Sequence, residues 1–223
     1  MTAPTLERRG DIFILDLGDG KNRFNPKRCM ALTEALAEVE AASAPRALVT
    51  AASGKFWSNG LDLDWLSVNP DQLQTAIDQY HRLLGVFLGA GVPTVAAVQG
   101  HAFAAGAMFA AAHDVTVMRA DRGYWCLPEA DLGMAFTPGM TALLRSRLPR
   151  RTAHQAMLTA RRYGAPDALA AGIITDTVPE EHVLTRAVER ATALASKNPD
   201  TLRTIKQRMH ADALTALSAS QQL

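Results

Sequence analysis

The chain has 223 residues, with 23 Lys and Arg against 22 Asp and Glu, and 48% of its residues are hydrophobic. So apolar a chain buries enough surface to offset the entropy of ordering, which excludes a disordered protein. A net charge of +1 provides no overall field for binding nucleic acid or an anionic membrane, so neither is an expected partner. The two cysteines are far apart and no apolar run is long enough to span a bilayer. We therefore expect a cytoplasmic protein without disulfides.

The first half of the chain is predicted to alternate strands and helices. Two segments of alternating hydrophobicity, 6–9 and 12–17, are joined at Gly10-Asp11 and predict a hairpin. Pro26 is expected to begin a helix that reaches about Ala42, with Asn25 as its N-cap. The next predicted elements are a strand at 46–51, a loop at 53–62, a helix at 70–88, and strands at 94–98 and 115–118.

The second half of the chain is predicted to be mainly helical. Helical patterns occupy 137–148, 152–159, 166–171, 180–196 and 199–217, with one extended piece at 173–178. Strand-helix alternation followed by helices favours an α/β fold with a helical appendage, and no Pro-, Gly- or Ser-rich linker divides it.

Several common catalytic motifs are missing from the sequence. There is no G-x-G-x-x-G and no G-x-S-x-G, and Gly54-Lys55 fails as a phosphate loop because Val49 and Phe56 occupy its other key positions. The six histidines contain no H-x-x-x-H pair, so no metal site is expected.

Two short segments and one carboxylate remain as candidates for chemistry. In SGKFWSNGLDL, which starts at Ser53, Gly60 permits a tight bend and Asp62 can cap a following helix. In QGHAFAAGAM, which starts at Gln99, small side chains lead from a strand end into a helix. Taken alone, each segment is equally explained by a loop-to-helix turn or by close helix packing.

Together, in this order and spacing, the two segments resemble the oxyanion-hole segments of the enoyl-CoA hydratase/isomerase (crotonase) superfamily, and the resemblance extends to about Met209. With the segment EADLG at Glu129, they are most similar to the plant and peroxisomal delta(3)-delta(2)-enoyl-CoA isomerases. The resemblance implies a crotonase-like (ClpP/crotonase) spiral core of repeated β-β-α units over 1–195. It also implies a C-terminal helical segment over 196–223 that covers the pocket and assembles a homotrimer or hexamer.

The resemblance also implies a set of functional groups. The backbone NH groups of Leu61 and Ala105 would hold the oxygen of an acyl-CoA thioester, which gains negative charge when a proton leaves the adjacent carbon. Glu129 would carry that proton, and the apolar neighbours of its carboxyl group are expected to raise its pKa to about 6 to 7. Superfamily hydratases have a second glutamate at the position of Met108, whereas a double-bond shift needs only one base.

The sequence thus predicts an acyl-CoA enzyme that moves a double bond from C3 to C2 of an enoyl-CoA. Water addition to a trans-2-enoyl-CoA, or acyl-CoA binding without turnover, are the alternatives. Coenzyme A is part of the substrate, so no separate cofactor is expected. Substrate contacts are expected from Arg23, Phe24, Lys55, Ser58, Asn59, Gly60, Met108 and Trp125. Each of these is equally compatible with core packing or a solvated surface.

Overall fold

The computed structural model describes residues 3–219 and contains two β-sheets. The larger sheet has six strands in the order β1-β2-β3-β5-β7-β9. Its first pair is antiparallel, as the predicted hairpin requires, and each later pair is parallel. The bounds of these strands are β1 Thr5–Arg9, β2 Ile12–Asp16, β3 Ala47–Ala51, β5 Thr94–Val98, β7 Val115–Arg119 and β9 Asp176–Val178.

The smaller sheet consists of three short parallel strands, β4 Phe56–Ser58, β6 His101–Phe103 and β8 Trp125–Cys126. Each short strand follows a strand of the larger sheet, and a helix comes next. The chain therefore repeats the order long strand, short strand, helix, which is the β-β-α spiral that the sequence predicts.

Helices surround the two sheets. Asn25 caps the first helix by accepting a hydrogen bond from the Arg28 NH at 3.0 Å, with Pro26 at the first helical position. The helices are α1 Pro26–Ala41, α2 Leu63–Val68, α3 Leu73–Leu88, α4 Ala105–Ala112, α5 Pro138–Arg147, α6 Arg150–Thr159, α7 Ala165–Ala170, α8 Val183–Thr192, α9 Pro199–Met209 and α10 Ala211–Ser218. No helix within 3–219 has both the length and the apolar character needed to span a membrane.

The structure differs from the predicted elements at three places. The short helix α2 and the short strands β4 and β6 lie where the sequence predicts loop or strand-end backbone. A 3₁₀ turn at 70–72 precedes α3, which begins later than predicted. The single helix predicted at 199–217 is broken at His210, whose buried ring hydrogen-bonds through Nδ1 to the Ser146 Oγ at 2.6 Å.

A buried ion pair holds α9 against the core. The Lys206 ammonium group lies 2.6 Å from the Asp114 carboxylate and donates to the Val92 carbonyl oxygen at 3.1 Å. Lys206 is only 2% exposed, while the Asp114 side chain is 26% exposed, so solvent screens this contact only partly. The contact anchors α9 to the backbone that precedes β5 and to the residue that precedes β7.

Removing this ammonium group should destabilise the fold. We expect Lys206→Met to lower the free energy of unfolding by about 3 kcal/mol, because the Asp114 carboxylate loses its buried partner. Urea unfolding followed by circular dichroism measures the change. Arg208→Met, on the exposed side of the same helix, is the control and should change stability by less than about 0.5 kcal/mol. Equal effects of the two substitutions would contradict the anchoring role.

Candidate active site

The carboxyl ends of the three short strands bring the predicted catalytic groups to one edge of the smaller sheet. Leu61 follows the end of β4, Ala105 follows the end of β6, and Glu129 follows the end of β8. Because the three strands are parallel neighbours, the segments after them emerge on the same side. The topology therefore places two backbone amides and one carboxyl group side by side.

The Leu61 amide is held by a backbone bridge to Phe24. The Phe24 NH donates to the Gly60 carbonyl oxygen at 2.8 Å, and the Asp62 NH donates to the Phe24 carbonyl oxygen at 2.8 Å. In this parallel bridge Phe24 bonds to the backbone of Gly60 and Asp62, the two neighbours of Leu61. The NH of Leu61 therefore points away from Phe24. Within residues 3–219 the Leu61 NH donates to no other group, so it is available to an external acceptor.

The Ala105 amide lies at the start of α4. Ala104 has a positive φ of 51° and a ψ of −123°, a conformation that alanine rarely adopts. Two hydrogen bonds maintain it: the Ala104 NH donates to the Cys126 carbonyl oxygen at 3.0 Å, and the Met108 NH donates to the Ala104 carbonyl oxygen at 3.1 Å. The first NH groups of a helix lack helical partners and carry partial positive charge, which favours an anionic oxygen at this point.

Two glycines allow the amide-bearing segments to touch. Gly60 has a φ of 84°, and a Cβ atom built on it would lie 3.0 Å from the Ala104 Cβ and 3.4 Å from the Ala105 nitrogen. A Cβ atom on Gly106 would lie only 2.5 Å from the Ser58 carbonyl oxygen. Side chains at these two positions would force the segments apart. The glycines thus bring the Leu61 and Ala105 amides close together.

Glu129 is a buried carboxyl group in the turn after β8. Its side chain is 6% exposed, and its buried Oε2 has no hydrogen-bond partner within residues 3–219. Desolvation raises the pKa of Glu129 to about 7, in agreement with the range expected from the sequence. The Met134 NH supports the turn by donating to the Glu129 backbone oxygen at 2.9 Å, while the Met134 side chain is 44% exposed.

Tyr80, on α3, contacts the segment that carries the second amide. Its hydroxyl group donates a hydrogen bond to the Ala105 carbonyl oxygen at 2.5 Å. Burial raises the pKa of Tyr80 well above its ordinary value, and the nearby Cys29 and Glu129 add to the effect. No pattern in the sequence marks Tyr80, since its position in the apolar stripe of a helix indicates only core packing.

The segment that carries the Leu61 amide is held in place by contacts with three of the predicted site residues, Arg23, Phe24 and Ser58. The Arg23 guanidinium group pairs with Asp64 and lies 3.6 Å from an Asp62 oxygen. The Phe24 ring is 1% exposed, so this residue contributes to the site through its backbone. The Ser58 hydroxyl group is also buried and donates to the Asn22 carbonyl oxygen at 2.8 Å.

The other expected contact residues fall into two groups. Lys55 lies at the amino end of β4, with its ammonium group 5.3 Å from the centre of the Phe56 ring, so the structure does not bring it to the edge where Leu61 lies. Asn59 lies at the correct edge, where its NH donates to the Lys21 carbonyl oxygen.

Met108 and Trp125 are each 1% exposed, and the Trp125 Nε1 donates to the Ala107 carbonyl oxygen at 3.0 Å. Both side chains belong to the hydrophobic core, Met108 from α4 and Trp125 from β8. The part of the chain that the structure describes contains no cluster of three or more His, Cys, Asp or Glu side chains that could hold a metal ion.

The point where the amides and Glu129 meet is enclosed. Ala105 and Glu129 are 2% and 6% exposed, and three surface cavities of about 500, 410 and 260 Å³ are lined by other residues. The turn residues 130–135, by contrast, are all exposed.

Residues 10–223 match the family model described as enoyl-CoA hydratase/isomerase. The chain belongs to this family. Enoyl-CoA delta isomerase 2, peroxisomal, of Arabidopsis thaliana is 33% identical over 204 residues, which cover 86% of this chain and 85% of the relative. Enoyl-CoA delta isomerase 3 of the same plant is 31% identical over 92% of this chain and 91% of the relative. These relatives confirm the predicted similarity to the isomerase branch.

Solved structures of family members confirm the predicted crotonase-like fold. An apo enoyl-CoA isomerase of Mycobacterium tuberculosis has a TM-score of 0.89 and 31% identity, covering 97% of this chain and 95% of that one. A structure of the same locus, described as a probable enoyl-CoA hydratase, has a TM-score of 0.90 and 30% identity, covering 98% and 93%. Since one protein carries both descriptions, the choice between the two reactions depends on the chemistry of the site.

Proposed function

We propose that the protein shifts the double bond of a 3-enoyl-CoA to C2, giving the conjugated 2-enoyl-CoA. The observation that carries the proposal is the buried carboxyl group of Glu129, whose Oε2 has no hydrogen-bond partner within residues 3–219. It lies beside the Leu61 and Ala105 amides, whose NH groups donate to no group in the same range. The side chain at 108, where hydratases of the superfamily have a second glutamate, is methionine. Asp62 caps α2 and lies beside Arg23, and Asp131 is exposed, so neither duplicates the role of Glu129.

The reaction needs one base that takes a proton and returns it two carbons away. Ionised Glu129 removes a proton from C2, and the electron pair of that bond moves into the conjugated system and onto the thioester oxygen. The Leu61 and Ala105 NH groups donate hydrogen bonds to this oxygen, which carries more charge in the dienolate than in the substrate. Protonated Glu129 then delivers the same proton to C4, the electron pair returns, and the double bond lies between C2 and C3.

A pKa near 7 suits Glu129 to both halves of this cycle. A carboxyl group at its ordinary pKa would be a weaker base and would hold the abstracted proton poorly. The raised pKa makes the Glu129 carboxylate a stronger base. Its cause is the burial of the carboxyl group rather than a charged neighbour.

The rate should depend on pH through this group. We expect kcat/KM for isomerisation to rise with pH and to level off above an apparent pKa of about 7, because the free enzyme must hold Glu129 ionised. At pH 6 the value should be about a tenth of the plateau. Initial rates between pH 5.5 and 9, with circular dichroism at each pH to verify folding, test this. A midpoint near 4.5 would contradict the assigned environment of Glu129.

The direct test of function compares two thioesters. Purified protein is given 3-hexenoyl-CoA or crotonyl-CoA, and the enoyl thioester absorbance is followed. We expect the absorbance of the first to rise as conjugation forms and that of the second to stay constant. Hydration of crotonyl-CoA at a rate equal to or above isomerisation would reject the proposal in favour of a hydratase. Binding of both thioesters without turnover would indicate a catalytically silent relative.

A further inference from the structure

We propose that Tyr80 is a positioning residue that fixes the two oxyanion amides relative to each other. This inference rests on the proposed function, since it assigns Tyr80 to the same proton-transfer reaction. One side chain links the two amide-bearing segments: its hydroxyl group binds Ala105 in the second, and its ring packs against Phe24, whose backbone holds the first.

The hydroxyl group acts on the second amide. It donates to the Ala105 carbonyl oxygen at 2.5 Å, although the two residues are 25 positions apart in the chain. The Ala105 carbonyl group and its NH are attached to the same Cα atom, at the strained entry to α4. A hydrogen bond that fixes the carbonyl group therefore restricts the backbone rotation that would turn the NH away from the substrate oxygen.

The ring acts on the first amide. The centre of the Tyr80 ring lies 5.3 Å from that of Phe24, in a tilted arrangement. The Phe24 backbone in turn binds Gly60 and Asp62, the two neighbours of Leu61. Both aromatic side chains are 1% exposed or less, so the contact is tightly enclosed. Packing of Tyr80 against Phe24 thus restrains the Leu61 segment relative to α3.

Tyr80 does not itself transfer the proton. Burial, together with Cys29 and Glu129, keeps its pKa well above the ordinary value, so the phenol stays neutral at physiological pH. Cys29 is also uncharged, because burial raises the pKa of its thiol to about 12. The neutral phenol acts as a fixed hydrogen-bond donor to the Ala105 carbonyl oxygen.

The test removes the hydroxyl group and keeps the ring. We expect Tyr80→Phe to lower kcat for 3-hexenoyl-CoA about tenfold, the rate equivalent of one ordinary hydrogen bond, with KM within about twofold of wild type. Tyr163→Phe is the matched control. Tyr163 is also 1% exposed, but its hydroxyl group lies 3.4 Å from the Gln155 Oε1 and contacts neither amide segment. This control should retain full kcat.

A second readout separates this inference from the proposed function. Exchange of the C2 protons of 3-hexenoyl-CoA in D₂O, followed by NMR, reports proton removal even when no product forms. We expect the exchange rate to fall about tenfold in Tyr80→Phe as well. If wild type exchanges these protons but forms no 2-enoyl-CoA, the proposed function fails. The positioning role of Tyr80 is then tested by the exchange rates alone. Loss of kcat equal in both tyrosine variants, or an unchanged kcat in Tyr80→Phe, would overturn the inference. So would a wild type that neither forms product nor exchanges the C2 protons.

Discussion

Glu129→Gln is expected to reduce kcat for isomerisation about 10³-fold, within the range that a general acid-base group typically contributes. The amide keeps the size of the side chain and its place in the turn, but it cannot accept and return a proton. Steady-state rates with 3-hexenoyl-CoA measure the loss. Asp131→Asn, an exposed neighbour in the same turn, is the control and should keep kcat within about twofold. More than a tenth of wild-type activity in Glu129→Gln would contradict the role of this carboxyl group.

The same substitution should stabilise the protein at alkaline pH. The folded-state pKa of about 7 lies above the ordinary value of 4.5, so the folded protein binds more protons than the unfolded chain between these values. Ionisation of Glu129 therefore costs stability as pH rises through this window, and the cost is complete above pH 7. Glutamine removes it, with a gain of up to about 3 kcal/mol at pH 8 and less than about 1 kcal/mol at pH 5. Lower stability than wild type at pH 8 would contradict this.

Gly60→Ala is expected to lower kcat/KM at least about 10²-fold, the effect of losing one oxyanion donor. The new Cβ atom would lie 3.0 Å from the Ala104 Cβ and 3.2 Å from the Phe103 carbonyl oxygen, so the two segments must separate. Rates with 3-hexenoyl-CoA and the affinity for a saturated acyl-CoA are compared. We expect the affinity to change much less than the rate, because the amides bind the dienolate oxygen more strongly than the ground-state carbonyl.

Gly10→Ala is the matched control for this substitution. Gly10 has a similar φ of 63°, but a Cβ atom there would meet nothing within 4 Å. It should therefore show the same backbone strain without any effect on activity. If Gly60→Ala folds and keeps the activity of Gly10→Ala, the close contact of the two amide segments is not needed for catalysis.

Local patterns in the sequence predict the elements that depend on local chemistry. The Asn25 cap, the hairpin at Gly10 and the buried parallel strands follow from residue types within a few positions of each other. The short strands β4, β6 and β8 have two or three residues each, which is too few to show alternation. They form because each finds a parallel partner more than 20 residues away, and no local pattern encodes that.

In the site, too, the residues within a local motif could be predicted and those that act through distant contacts could not. Leu61, Ala105 and Glu129 could be named because the family motif marks their positions, whereas Tyr80 acts through a contact across 25 residues. Lys55 shows the converse: it is close to Leu61 in sequence, but the three-residue strand β4, about 10 Å long, lies between them. Nearness along the chain does not give nearness in an extended segment.

Several expectations concern the assembled protein rather than the single chain. A division between 195 and 196, a homotrimer or hexamer and a cytoplasmic location stay predictions. Within the single chain, α10 packs against α3 and α5. The predicted pocket cover extends to residues 220–223, which lie outside the described residues.

The most direct measurement follows a labelled proton through one turnover. 3-Hexenoyl-CoA carrying deuterium at both C2 positions is converted in ordinary water under single-turnover conditions, and the product is analysed by NMR and mass spectrometry. If buried Glu129 both removes and returns the proton, part of the deuterium should appear at C4 of the 2-enoyl-CoA. Complete loss of the transferred label to solvent, with only ordinary hydrogen at C4, would contradict transfer by this single carboxyl group.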